Sequence, residues 1–142
     1  MTSHPPSTRI PKYLFVLIAL YCVASLVHFA HNAEFIADYP NLPAWLTRSK
    51  VYLAWLAVTS VGVFGIVLLR FRHRSWGLVV VAAYAALGFA GLDHYSVAPM
   101  ARHTFAMNAT IGCEVACASI LFAAALLLLR RSSRSLPSAS DA

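Results

Sequence analysis

Charge is what this sequence has least of. Only 11% of its 142 residues are Asp, Glu, Lys or Arg, against about a quarter in an ordinary soluble domain. A chain so poor in charge cannot cover a water-facing surface of normal polarity. Five residues are acidic, and lysine is outnumbered by arginine two to nine. Cysteine is confined to Cys22, Cys113 and Cys117, each inside an apolar run. That placement suits small packing residues and argues against a disulfide framework.

Apolar residues fill the space that charge leaves. They make up 60% of the chain, with a mean hydropathy of +0.69. Crossing a hydrocarbon core of about 30 Å takes roughly 20 apolar residues in a helix, and the sequence offers four such runs, at about 13–33, 51–69, 76–92 and 104–129. Little chain is left for anything else. The expected fold is an all-α integral membrane protein, one antiparallel bundle of four transmembrane helices over residues 1–142, with polar tails at 1–11 and 132–142. The first run is longer than the apolar region of a signal peptide, about 7–15 residues, and is read as a retained span. Pro99 is well placed to open the fourth helix, since proline is tolerated in a first turn.

The formal charge of +6 is spread over short loops and tails. It therefore reads as a topology signal and gives no reason to expect a nucleic-acid partner. Arg9, Lys12, Arg70, Arg72, Arg74, Arg130, Arg131 and Arg134 fall on one side of the expected bundle, and Arg48, Lys50 and Arg102 on the other. By the positive-inside rule both termini are expected in the cytoplasm. The partner is the bilayer, with a homo-oligomer or partner membrane subunits as further expectations for so small a bundle. The arginine and alanine bias suggests a bacterial inner membrane, with the 35–50 and 93–103 connections facing the periplasm or exterior.

Those connections are where the polar residues collect. Of six histidines, His28, His31, His94 and His103 lie at or near this end, together with four of the five acidic residues, Glu34, Asp38, Asp93 and Glu114. Residues three or four apart share a helix face. His28 and His31 therefore stack, with Glu34 and Asp38 continuing their face if the helix runs that far. His103, Met107, Thr110, Glu114 and Cys117 form a second stripe, with Asn108 beside it. Ionisable groups at membrane depth cost about 2.5–3.5 kcal/mol each on insertion scales, so they face the bundle interior and mark functional sites. Glu114, about ten residues into its helix, must be protonated, paired with a histidine or bound to an ion.

The first functional expectation is a transition-metal site of copper, zinc or iron held by His28, His31, His94 and His103. Bundles of four helices build such sites from inward-facing His and carboxylate side chains. Glu34, Asp93 and Glu114 would orient the imidazoles or bind directly, with Asn108 and Met107 close by. Met100, His103 and Met107 on one helix face would favour copper. Such a centre would serve a redox or metal-dependent membrane enzyme, or a subunit of one. A second expectation is a b-type haem between two histidines, one from each half of the chain. A third is metal-free, a lipid- or quinone-binding or proton-coupled protein in which Glu114 and a neighbouring histidine exchange protons. With one H-x-x-H and two single histidines, the chain lacks the repeated histidine boxes of membrane desaturases. The Asn108–Thr110 acceptor triplet for N-glycosylation falls in an expected span, where it would not be used.

Overall fold

The computed structural model describes residues 10–71 and 73–134, and the architecture is entirely helical, with no strand among the described residues. Helix α1 spans Lys12–Glu34, α2 Arg48–Arg70 and α3 Arg74–Leu87. The third rod continues as a 3-10 helix over Gly88–Asp93 and a short turn, α4, at His94–Val97. Helix α5, Phe105–Arg134, closes the bundle. Four rods, 12–34, 48–70, 74–97 and 105–133, are long and apolar enough to cross a membrane. Much of the outward surface is Val16, Leu20, Leu53, Leu56, Phe64, Ile120 and Leu127, all more than half exposed. Water would penalise that surface, whereas lipid tails match it.

The packing order is a ring. Helix α2 packs on α3, α3 on α5, α5 on α1, and α1 returns to α2. Helices α2 and α3 are joined by so short a turn that they are antiparallel neighbours, as expected from the cationic link between them. Leu14, Ile18, Leu69, Leu78, Val81, Leu121, Ala125 and Leu128 fill the half of the bundle nearest the chain termini. Above them the Tyr21 and Tyr84 rings meet at 4.6 Å between centroids.

The helix ends depart from the sequence expectation where a cap intervenes. Thr47 caps α2, its hydroxyl accepting the Lys50 N–H at 3.4 Å, so the helix starts before Val51. Thr104 does the same for α5, accepting the Met107 N–H at 3.2 Å. The last rod therefore begins at Phe105 and not at Pro99, which instead precedes a 3-10 turn over Met100–Arg102. At its far end α5 runs on to Arg134, past the expected start of the tail. The third rod also extends beyond Leu92, which puts His94 in a helical turn.

The 3-10 stretch has a packing reason. With three residues per turn, Gly88 and Gly91 stack on one side, and both are buried. A Cβ on Gly88 would strike the Tyr21 ring at 2.7 Å, and one on Gly91 would lie 3.3 Å from Oε2 of Glu114. Two missing side chains thus let α1 and α5 close in on the same segment.

Candidate functional site

The site lies at the end of the bundle that carries the 35–47 and 98–104 connections. Its deepest member is Glu114, 1% exposed, on α5. Its Oε2 stands 3.6 Å from Nε2 of His28 on α1, which is 2% exposed. One turn further along α1, Asn32 donates from Nδ2 to His28 Nε2 at 3.2 Å and to His94 Nε2 at 3.1 Å. Both Nε2 atoms are therefore acceptors, which assigns the ring protons to the other nitrogen. His28 Nδ1 then donates to Thr110 Oγ1 at 3.4 Å.

This network leaves two acceptors facing each other. The His28 Nε2 lone pair already takes an Asn32 hydrogen, and Glu114 Oε2 has no hydrogen-bond partner. A proton on Glu114 Oε2 relieves that opposition, and one on His28 Nε2 does so if Asn32 turns its amide away. Asn32 Oδ1 is a second buried acceptor without a partner. Deeper still, the hydroxyls of Ser25 and Tyr21 lie beside Glu114 without forming an oriented hydrogen bond.

A pocket of about 100 Å³ opens against these groups. His28, Asn32, His94 and Glu114 are its polar lining, and Phe29, Leu87, Ala90 and Gly91 its apolar lining. Leu87 is 44% exposed, Ala90 is exposed and Phe29 half-buried. All three belong to rods of membrane-crossing length.

The four histidines do gather at one end, but not on one point. Tyr39, 4% exposed, drops from the 35–47 connection into the middle of them. Its ring centroid lies 5.8 Å from His31, 5.1 Å from His94 and 6.4 Å from His103, and its hydroxyl is 2.9 Å from His31 Nδ1. The His28 and His94 rings touch edge to face at 5.4 Å, with Asn32 bridging their Nε2 atoms. His103 is buried, donating from Nδ1 to the Pro99 carbonyl at 3.2 Å. Among the described residues no three His, Cys, Asp or Glu side chains gather closely enough to hold a metal ion. Asn32 bridges two of the rings, and Tyr39 packs against three of them.

The other expected members lie elsewhere. Glu34 faces outward, paired with Arg48 at 2.6 Å and accepting from the Tyr52 hydroxyl at 2.7 Å. Asp93 is exposed, and Asp38 lies in the turns after α1, which ends before reaching it. Asn108 ties down the connection before α5, accepting from Tyr95 at 2.9 Å and donating to the Met100 and His103 carbonyls at 3.2 Å each. Met107 is buried, its sulfur accepting from the Thr104 N–H at 3.4 Å. Met100 is 57% exposed and brings no sulfur to the site.

Two participants are missing from the sequence expectations. Asn32 is legible in principle, because it sits four residues after His28 and so on the same face. Tyr39 is not, since nothing in an aromatic residue between a turn and a proline says that it will fold inward. Asn41, with a φ of 57°, turns the chain there, in the left-handed region that asparagine tolerates. Its amide donates to the Val97 carbonyl at 2.8 Å, which pins the connection over the histidines. Burial pushes the Tyr39 phenol up to about 12.

Comparison with protein-family models, with curated proteins and with solved structures gives no match.

Proposed function

We propose that the chain is a membrane protein that binds the head group of a small hydroxylated amphiphile, of the quinol type, and exchanges a proton with it at Glu114 and His28. The observation that carries this reading is the mixed pocket. Its lining combines a buried carboxyl, two imidazoles and an amide with Phe29, Leu87 and Ala90, which are half-buried or exposed on rods long and apolar enough to cross a membrane. Ligand pockets are mostly apolar with a few placed polar groups, and a bilayer-facing rim selects molecules that arrive through lipid.

The unpartnered atoms narrow the ligand. Asn32 Oδ1 and Glu114 Oε2 both accept, so they call for a head group that donates. A hydroxyl satisfies one of them, and a ring bearing it packs against Phe29 and Leu87. When Glu114 is ionised it accepts a hydrogen bond from the hydroxyl and takes its proton as a quinol is oxidised by an electron acceptor outside this chain, and His28, 3.6 Å away, can hold that proton once the Asn32 amide turns away. Counting arginines, the site faces the periplasm or exterior.

The transition-metal expectation is the rival reading, and it requires Asn32 and Tyr39 to withdraw from between the rings. A haem would need far more space than the pocket offers. The test is equilibrium binding of a short-chain quinol and its matching quinone to chelator-washed protein in lipid nanodiscs. Saturable binding of the quinol, weakened at least tenfold in Glu114→Leu, supports the reading. Binding that Glu114→Leu leaves unchanged overturns it.

A further inference from the structure

A pocket that exchanges protons with a ligand from the bilayer also needs a way to exchange them with water. The pocket lining does not provide one, because Phe29, Leu87 and Ala90 are apolar and its half-buried polar members, His94 and Asn32, meet at an amide that donates but does not take up a proton. Towards the connections, Tyr39 and the three histidines around it close the bundle. Below Glu114 come Ser25 and the buried tyrosines, and beneath those lies the apolar core of Leu14, Ile18, Leu78, Leu121 and Leu128.

One line of side chains does connect the surface to the carboxyl. It starts at His31, half-buried near the end of α1. His31 Nδ1 meets the Tyr39 hydroxyl at 2.9 Å, and Thr110 lies beside Tyr39 without an oriented hydrogen bond to it, so that rotation of the Thr110 hydroxyl has to close this step. Thr110 Oγ1 lies 3.4 Å from His28 Nδ1. The opposite nitrogen of the same ring faces Glu114 Oε2 at 3.6 Å. We infer that His31, Tyr39, Thr110 and His28 form a proton relay that connects Glu114 to the aqueous side, separate from the route by which a ligand arrives.

Every member suits the task. Each is a group that both donates and accepts, so a proton taken at one end can be released at the other without any member ending with a net charge. An imidazole does this by taking a proton on one nitrogen and giving up the proton on the other. Thr110 at rest donates to the Met107 carbonyl at 3.0 Å, and rotation of its hydroxyl makes it a donor to Tyr39 or His28. The groups facing Glu114 are His28, Ser25 and Tyr21 from α1 and the bare backbone of Gly91 from the 3-10 segment. Of these four, His28 alone leads on towards the surface.

The relay rests on the proposed use of Glu114, but it can fail independently. The test follows the Glu114 carboxylic-acid stretching band by infrared spectroscopy in nanodiscs, at the acidity where the band appears, after rapid transfer into D₂O. Glu114→Gln assigns the band. The relay predicts prompt exchange in the unmodified protein and at least tenfold slower exchange in Tyr39→Phe, which keeps the packed ring and loses only the hydroxyl. Thr110→Val should slow it similarly, and Tyr95→Phe, beside His103 but off the line, should leave it unchanged. Equal rates in Tyr39→Phe, Thr110→Val and the unmodified protein overturn the relay, as does a carboxyl band that never appears. Failure of quinol binding with this pattern of rates intact would reject the ligand and leave the relay standing.

Discussion

Nε2 of His28 and Oε2 of Glu114 face each other at 3.6 Å inside the bundle, both almost fully shielded from solvent. An uncompensated carboxylate at this depth is expensive, and removing one partner of a buried pair typically costs about 3–5 kcal/mol. The pair is therefore a commitment of the fold, and the proposed ligand would give that commitment a use.

Gly91 controls the room available to that pair. A methyl group there meets Glu114 Oε2 at 3.3 Å, a contact the carboxyl can relieve by a small shift. Gly91→Ala should fold and bind quinol with little loss. Gly91→Leu fills the pocket and should abolish binding while the helical circular dichroism stays close to that of the unmodified protein. Binding by Gly91→Leu with undiminished affinity would show that the ligand sits elsewhere.

Tyr39 gives a pH dependence with a definite sign. Its phenol is held near 12 by burial, above the ordinary value of about 10. The folded state thus keeps a proton that the unfolded state gives up. The contribution is fully present below about pH 10 and is lost as pH rises from there through 12. Thermal unfolding in detergent should show a decline in stability over that interval that is shallower in Tyr39→Phe. An identical alkaline decline in both proteins would mean that the buried phenol plays no part in it.

Much of the architecture is legible in the sequence, because long apolar runs and a deficit of charge constrain the chain strongly. Four rods, their order and the neighbouring positions of α2 and α3 follow from run length and loop length. The site is legible only as a location. Helical spacing brings His28 and Glu114 to the same end, but it also enrols Glu34, which turns outward to Arg48 and Tyr52. Spacing says which residues share a face and not which face turns inward. Tyr39 shows a second limit, since its burial depends on how Asn41 bends an irregular connection, and no periodicity encodes that.

The Glu34–Arg48 pair offers a control. Both side chains are substantially exposed, 41% and 65%, and exposed ion pairs contribute about 0–1 kcal/mol. Arg48→Ala should leave quinol affinity unchanged and lower the unfolding temperature only slightly. A loss of binding would return Glu34 to the site.

Metal content separates the proposed reading from its rival. Plasma mass spectrometry on protein purified without a polyhistidine tag or chelator should find copper, zinc and iron well below one equivalent, with no rise after reconstitution. About one equivalent, retained in His73→Ala and lost in His28→Ala, would establish a metal centre and require Asn32 and Tyr39 to move.

The most direct test of quinol binding at this pocket is the affinity of chelator-washed protein for a short-chain quinol, compared between the unmodified chain and Asn32→Leu. Saturable binding of one quinol per chain is expected, falling at least tenfold when the Asn32 amide is removed. Equal affinity in the two proteins, or no saturable binding in either, would contradict it.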